Sequence, residues 1–353
     1  MGAGKSTVGR EVARLTHRPF VDTDEEIERE HGPISELFER GESDFRRLER
    51  EAILRKFALA HEPTVFALGG GALANDQTRI LLREKAFTIW LQVSAEEAWE
   101  RVGGSDRPLA REGEKFRRLF DQRKDLYALA ADAEGQEVQD ALVAALQIEI
   151  CNGVVDPLRW SAADGLIEVD DVAVVADERV LELRLHWPKW WEPFSVHPVP
   201  PGEGAKTLEV ASRLWTELRL DRWGTLAALG GGTTTDLGGF VAATYLRGIQ
   251  WVAIPTTLVG QVDAAIGGKT GIDLAEGKNL AGAFHFPRYV FSDPTVLDTL
   301  PEREWRAGMA EVVKTGLLAD SPLWELPREQ MIRACAAYKA GIVLSDPYEQ
   351  EGR

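Results

Sequence analysis

The chain opens Met1-Gly-Ala-Gly-Lys-Ser-Thr7, and residues 8–15 behind it carry apolar side chains at helical spacing. Glycines at 2 and 4 let the backbone curl where a β-carbon would obstruct it. A helix amino terminus offers N–H groups and the positive end of its dipole, so a turn of this kind suits an anion. The spacing is that of the closing half of G-x-x-x-x-G-K-[ST]. In that loop backbone N–H groups cradle phosphates, the lysine reaches the terminal phosphates, and the hydroxyl serves Mg²⁺. Gly2, Ala3, Gly4, Lys5, Ser6 and Thr7 are therefore expected to bind a nucleotide phosphate. The first glycine of the full pattern would precede Met1, so the chain is expected to be cut at its front, without the strand that leads into the loop.

Two similar turns, Leu68-Gly-Gly-Gly71 and Leu229-Gly-Gly-Gly232, each follow a short apolar run, residues 64–68 and 225–229. Such runs read as parallel strands buried on both faces. Residues 87–93, 171–176 and 249–254 read the same way, and helical spacing marks 46–59, 95–102, 208–218 and 305–318. Alternating strands and helices mean α/β units built on parallel sheets. A helix over 138–150 runs into a connector, Cys151-Asn-Gly-Val-Val-Asp-Pro157. The expected domains are therefore 1–150, 152–300 and a more helical segment over 301–353, itself the start of something longer.

Composition narrows the setting. At 353 residues the chain can hold two or three domains with real cores. A formal charge of −16 argues against nucleic acid and anionic membranes as partners. The two cysteines, Cys151 and Cys335, are far apart and show no metal spacing, which suits a reduced cytoplasmic protein. No signal peptide is expected, and no apolar run approaches the ~20 residues of a membrane span. The tryptophan cluster Trp187-Pro-Lys-Trp190-Trp191 reads as a packed or partly exposed loop.

In the first half, Phe20-Val-Asp22-Thr-Asp24 is expected to end a strand with two carboxylates, the place where open α/β sheets bind ligands. One acid can serve Mg²⁺ through water and the other an acceptor hydroxyl, although the same acids would equally cap the next helix. Arg46 in Gly41-Glu-Ser-Asp-Phe-Arg-Arg-Leu-Glu49, Arg107 in Asp-Arg-Pro-Leu109, and Arg123 four residues before Tyr127 follow in order. Singly each arginine would read as a solvated helix face. Together with the glycine turn they suit a small acidic acceptor and a phosphoryl group in transfer.

This order of motifs resembles shikimate kinase over residues 1–150. The resemblance implies ATP and Mg²⁺ on Lys5 and Ser6, with Asp22 supporting the metal and Arg107 supplied by a lid. It implies Asp24 as candidate base on shikimate, and Arg46, the Gly70 backbone and Arg123 around the shikimate carboxylate. Gluconate- and nucleoside-monophosphate-type kinases share the loop but not the Phe45-Arg46 and Asp22-Thr-Asp24 placements.

In the second half, Gly230-Gly-Gly-Thr-Thr-Thr-Asp236 forms a glycine-rich strand-to-helix turn. Behind it come Thr256-Thr257, Gln-Val-Asp263, Gly267-Gly-Lys269-Thr-Gly271, Gly277-Lys-Asn279 and Glu311-Val-Val-Lys314. Small residues, hydroxyls and lysines recur, as a polar phosphorylated ligand requires. Glu311 and Lys314, three apart, share a helical face.

From residue 152 onward the chain resembles 3-dehydroquinate synthase, which implies a Rossmann-like NAD-binding domain followed by a helical one. The resemblance implies NAD⁺ on Asp177, Gly202, Glu203, Lys206, Gly231, Gly232, Thr233, Asp236, Thr256, Thr257, Lys269, Lys278 and Thr299. It implies substrate on Asp263, Lys269, Asn279 and Lys314, with Arg247 lent by the partner of a homodimer. Lys5, Asp24, Arg123, Lys269 and Lys314 are the expected catalytic residues. Glu311 matches a ligand of the divalent metal, Zn²⁺ or Co²⁺, but the family's two histidine ligands have no counterpart here, since all six histidines precede Glu311. Arg353 matches an arginine that precedes those histidines. The expected protein is thus a kinase–synthase fusion of aromatic-precursor biosynthesis acting on small molecules, incomplete at both ends and inactive as it stands. Two alternatives are a different sugar-phosphate cyclase, such as a 2-deoxy-scyllo-inosose synthase, in the second half, and a nucleotide-binding scaffold without activity.

Overall fold

The computed structural model describes residues 2–103, 112–150, 171–183 and 194–350. Arg107, Cys151, the Trp187–Trp191 cluster and Arg353 lie outside these residues. The chain divides into two compact units, residues 1–145 and 146–353.

In the first unit, helix Lys5–Leu15 starts directly behind Gly4, whose φ of 77° is left-handed. Strand β1 (Phe20–Asp22) runs parallel to β2 (Val65–Ala67), with Asp22 opposite Ala67. Strands β3 (Ile89–Leu91) and β4 (Ala133–Gly135) form a second parallel pair, and among the described residues the two pairs are separate sheets. Helices Thr23–His31, Ile34–Arg40 and Glu42–Leu59 bury Ile27, Leu37, Phe45 and Ala52 together. Ala98, Val102 and Phe116 form another cluster. The acids expected to end one strand are divided between two elements. The strand stops at Asp22, and Asp24 already lies in the following helix, because Asp22 caps that helix by accepting the N–H groups of Asp24 (3.0 Å) and Glu25 (3.4 Å).

The helix expected over 138–150 ends at Ala145. Gln147 takes a left-handed φ of 54°, and Ile148-Glu-Ile150 alternates, so burying both isoleucines calls for a strand. This strand, β5 (Ile148–Ile150), belongs to the sheet of the second unit. The sheet also contains β6 (Val172–Asp177), β7 (Ser195–Val199), β8 (Thr225–Gly230), β9 (Gln250–Pro255) and β12 (Tyr289–Ser292). Its order is β5-β12-β9-β8-β6-β7, every pairing parallel. β6 and β8 are buried along their whole length, as continuous apolar runs require. Strands β10 (Lys269–Leu274) and β11 (Gly277–Phe284) make an antiparallel hairpin. Helices Glu302–Leu318 and Arg328–Ser345 complete the described fold. Among the described residues no helix is long and apolar enough to cross a membrane.

Helix Gly232–Thr244 sits unusually close to its neighbours. A β-carbon on Gly238 would stand 2.5 Å from that of Ala228 in β8, and one on Gly239 would stand 2.3 Å from Thr270 Cγ2 and 2.8 Å from the Trp251 ring. Overpacking of this kind costs about 1–3 kcal/mol. Gly239→Ala is therefore expected to lower the melting temperature of the second unit by several degrees, on the order of 2–4 °C per kcal/mol at this size. A melt superimposable on that of the parent would contradict the packing described.

Candidate active sites

The first site is assembled where β1 and β2 deliver the chain to the front of the unit. Gly2 and Gly4 have φ of 74° and 77°, and a β-carbon on Gly2 would meet the Ala98 carbonyl oxygen at 2.5 Å. The helix behind them has no side-chain cap, which leaves its amino terminus to the loop. Lys5 begins that helix, Thr7 is exposed, and Ser6 Oγ donates to Asp22 Oδ2. The hydroxyl and carboxylate expected around Mg²⁺ are thus in contact, and the loop fits an anionic nucleotide phosphate.

The acceptor residues surround the turn Gly69–Gly71. Thr23, fully buried, accepts the Gly69 N–H at 3.1 Å and donates to Ala67 O at 3.3 Å, tying the Asp-Thr-Asp segment to this turn. A β-carbon on Gly69 would lie 2.3 Å from Glu49 Oε1 and 2.7 Å from Asp24 Oδ1, and one on Gly71 would lie 2.0 Å from Arg46 Nη1. The glycines are there so that charged groups can touch the backbone. Arg46 donates to Glu49 at 2.7 Å and to Glu42 at 3.1 Å. Burial pushes the Glu49 carboxyl upward, against the pull of Arg46 and Arg123. Tyr127 donates to Gly70 O at 2.6 Å. Asp24, Arg46, Gly70 and Arg123 are thereby brought to one turn. Glu49 and Tyr127 lie within sequence motifs that give neither a role. For Glu49, an acid three residues after an arginine was the available signal.

The second site lies at the carboxyl ends of the parallel strands, the usual ligand position in an open α/β sheet. β6 ends at Asp177, which caps a short helix by accepting Arg179 N–H at 2.9 Å. β8 ends at Gly230, β9 passes to Thr256 and Thr257, and β12 leads to the 3-10 helix Pro294–Thr299. Helix Gly232–Thr244 has no side-chain cap, with Thr233 in its first turn. β-carbons on Gly231 and Gly232 would stand 3.1 Å from Thr257 Cγ2 and 2.9 Å from Ala264 Cβ, so a bare backbone cradle faces this end of the sheet. Lys206, 4% exposed, donates to Asp236 at 2.7 Å and also to Asn279 Oδ1. Burial raises the Asp236 carboxyl above its usual range, and Lys206 opposes that rise. Lys278 pairs with Glu203 at 3.0 Å, next to Gly202 in its left-handed turn. Lys206, Glu203, Asp236, Lys278 and Asn279 thus form one network.

Asp263 lies in a π-helical turn, Gly260–Ala264, closed by the Ala265 N–H on Gly260 O at 3.2 Å. It faces two cations, Lys339 at 2.7 Å and Lys314 at 3.8 Å. Lys314 also pairs with Glu311, which raises the lysine pKa. Lys269 pairs with Glu349. Lys339 was not anticipated, and its one sequence signal was a lone cation in the small-residue and apolar run Cys335-Ala-Ala-Tyr-Lys-Ala-Gly-Ile342. Exposed Arg247 sits apart, on a turn where it and Leu246 both have left-handed φ, 67° and 49°. Among the described residues no three His, Cys, Asp or Glu side chains gather as a metal site. Glu311 alone does not fit a zinc centre, which takes three protein ligands.

A family model described as shikimate kinase matches residues 1–150, and one described as 3-dehydroquinate synthase N-terminal matches residues 196–307. A bifunctional shikimate kinase/3-dehydroquinate synthase from Thermotoga maritima is 34% identical, over 99% of this chain and 75% of its own length. A 3-dehydroquinate synthase from Streptomyces avermitilis is 53% identical over 131 residues, 36% of each chain, so single-function synthases are matched over only part of their length. A crystal structure of 2-deoxy-scyllo-inosose synthase complexed with carbaglucose-6-phosphate, NAD⁺ and Co²⁺ superposes with a TM-score of 0.51, at 27% identity over 57% of this chain and 60% of that one. Identity to the dehydroquinate synthase is about twice as high, which disfavours the other cyclase. With a kinase motif set in one unit, a synthase motif set in the other, and a relative that joins both in this order, the chain belongs to the bifunctional shikimate kinase/3-dehydroquinate synthase family of aromatic amino acid biosynthesis.

Proposed function

We propose that the first unit transfers the γ-phosphoryl group of MgATP to the 3-hydroxyl of shikimate. The observation that carries this reading is the convergence of Asp24, Arg46, Glu49 and Arg123 on the Gly69–Gly71 turn, a cationic and acidic cleft sized by missing β-carbons. Phosphoryl transfer is largely positioning and charge neutralisation. Lys5 and the loop N–H groups hold the nucleotide phosphates, Ser6 and Asp22 serve Mg²⁺, and Asp24 orients the attacking hydroxyl and takes its proton. Arg46 and Arg123 hold the acceptor carboxylate.

For the second unit we propose binding of NAD⁺ and of 3-deoxy-D-arabino-heptulosonate 7-phosphate, the precursor of 3-dehydroquinate. NAD⁺, when bound, supplies reversible hydride acceptance from a ring carbon. Gly231, Gly232 and Thr233 would hold its pyrophosphate, and Asp177, Asp236, Lys206, Thr256, Thr257, Lys278 and Thr299 would line the rest. Asp263, Lys269, Asn279, Lys314 and Lys339 present charges for the phosphate, carboxylate and hydroxyls of the substrate. Arg247, exposed on its left-handed turn, suits donation to a partner's site in a homodimer. A cytoplasmic setting agrees with the buried, unpaired Cys335.

This kinase reading replaces the expectation of an inactive chain, and it is tested by coupled assay of ADP release with shikimate and MgATP. Arg123→Ala is expected to raise the KM for shikimate by one to two orders of magnitude, since a charge-assisted bond is worth about 1.5–3 kcal/mol. Lys5→Met is expected to lower kcat instead. Unchanged shikimate kinetics in Arg123→Ala would remove the acceptor assignment.

Calorimetry of the full chain is expected to detect NAD⁺ binding. Asp236→Ala should weaken it about tenfold or more, because Lys206 loses its buried counter-charge. Equal NAD⁺ affinity in parent and variant would refute the placement of the cofactor.

A further inference from the structure

We propose that Tyr127 is a positioning residue of the kinase acceptor site, its hydroxyl locking the Gly70 peptide to the helix that carries Arg123. The inference rests on the shikimate reading and extends it to a residue that reading leaves without a role.

The geometry is specific to the hydroxyl. Gly69 O and Gly71 O are served by backbone, accepting from Ala72 N–H at 3.1 Å and Ala74 N–H at 3.0 Å. Between them Gly70 O receives a side chain, the Tyr127 hydroxyl at 2.6 Å. Tyr127 lies on helix Gly113–Ala130 one turn beyond Arg123, so the two side chains are neighbours on one face. Its ring is held against Trp90, centroids 6.1 Å apart. Burial raises the phenol pKa while Arg123 opposes that rise, so the group stays a protonated donor at neutral pH. On either side of Gly70, Gly69 and Gly71 leave no room for a β-carbon beside Glu49, Asp24 and Arg46. A rotation of the Gly70 peptide would therefore shift Gly69 and Gly71 against Asp24, Glu49 and Arg46.

Tyr127→Phe in the full chain removes one oxygen and keeps the ring packing. The expected result is a KM for shikimate about 5- to 30-fold higher, the range for losing a buried hydrogen bond. The KM for MgATP and kcat are expected to stay within about twofold. A purely structural role would not separate the two KM values. Trp90→Phe, which disturbs the ring support but keeps the hydroxyl, is expected to raise the shikimate KM less than Tyr127→Phe. An unchanged shikimate KM in Tyr127→Phe, with the parent active, overturns this role alone. A parent that does not phosphorylate shikimate overturns the activity and this role with it.

Discussion

Where a parallel strand ends, the chain must turn within a few residues and bring backbone N–H groups to a ligand, and a β-carbon is in the way. Both units answer with glycine, but for different neighbours. In the first unit, Gly69 and Gly71 make room for the side chains of Asp24, Glu49 and Arg46. In the second, Gly231 and Gly232 make room for Thr257 and Ala264, and Gly238 and Gly239 let the following helix settle onto β8, Trp251 and Thr270. Each site exists because several elements can close to van der Waals distance around one turn. Removing that closeness would not weaken one contact but separate the groups that give the site its chemistry.

Electrostatics builds on that closeness. The chain is acidic overall, at −16, yet each site gathers cations. Lys206 is almost wholly buried and is compensated by Asp236 and the Asn279 amide oxygen, so a charge that would be costly alone holds three segments together. Arg46 is likewise half-sequestered between Glu42 and Glu49. In both cases the cation is anchored by the protein itself, which fixes its position before any anion arrives.

The strands leading to the two glycine turns were legible because a continuous apolar run followed by Gly-Gly-Gly has few other readings. The helix over residues 95–102 was read to its exact ends, where Ser94 and Glu97 form a capping box. Legibility failed where local pattern and tertiary need diverge. Residues 148–150 continue a helical stretch in sequence, but the sheet offered both isoleucines a buried edge position. Asp22 and Asp24 look equivalent in sequence, and only the cap distinguishes them. The pairing of Lys339 was invisible because its partner Asp263 is 76 positions away, and no local spacing encodes an ion pair of that span. Roles could be carried onto Lys206, Asp236 and Asn279 by motif, but their mutual contact could not.

The π-helical turn at Gly260–Ala264 carries a consequence for how such a site can change. It holds one more residue than an α-helical turn would, and each residue in a regular helix advances about 100° around the axis. The direction of the Asp263 carboxylate is therefore set by chain length as much as by side-chain identity. A lineage could redirect this acid by losing a single codon from the turn, with every residue type retained. In aligned relatives, divergence at this position would then be written as a gap rather than as a substitution.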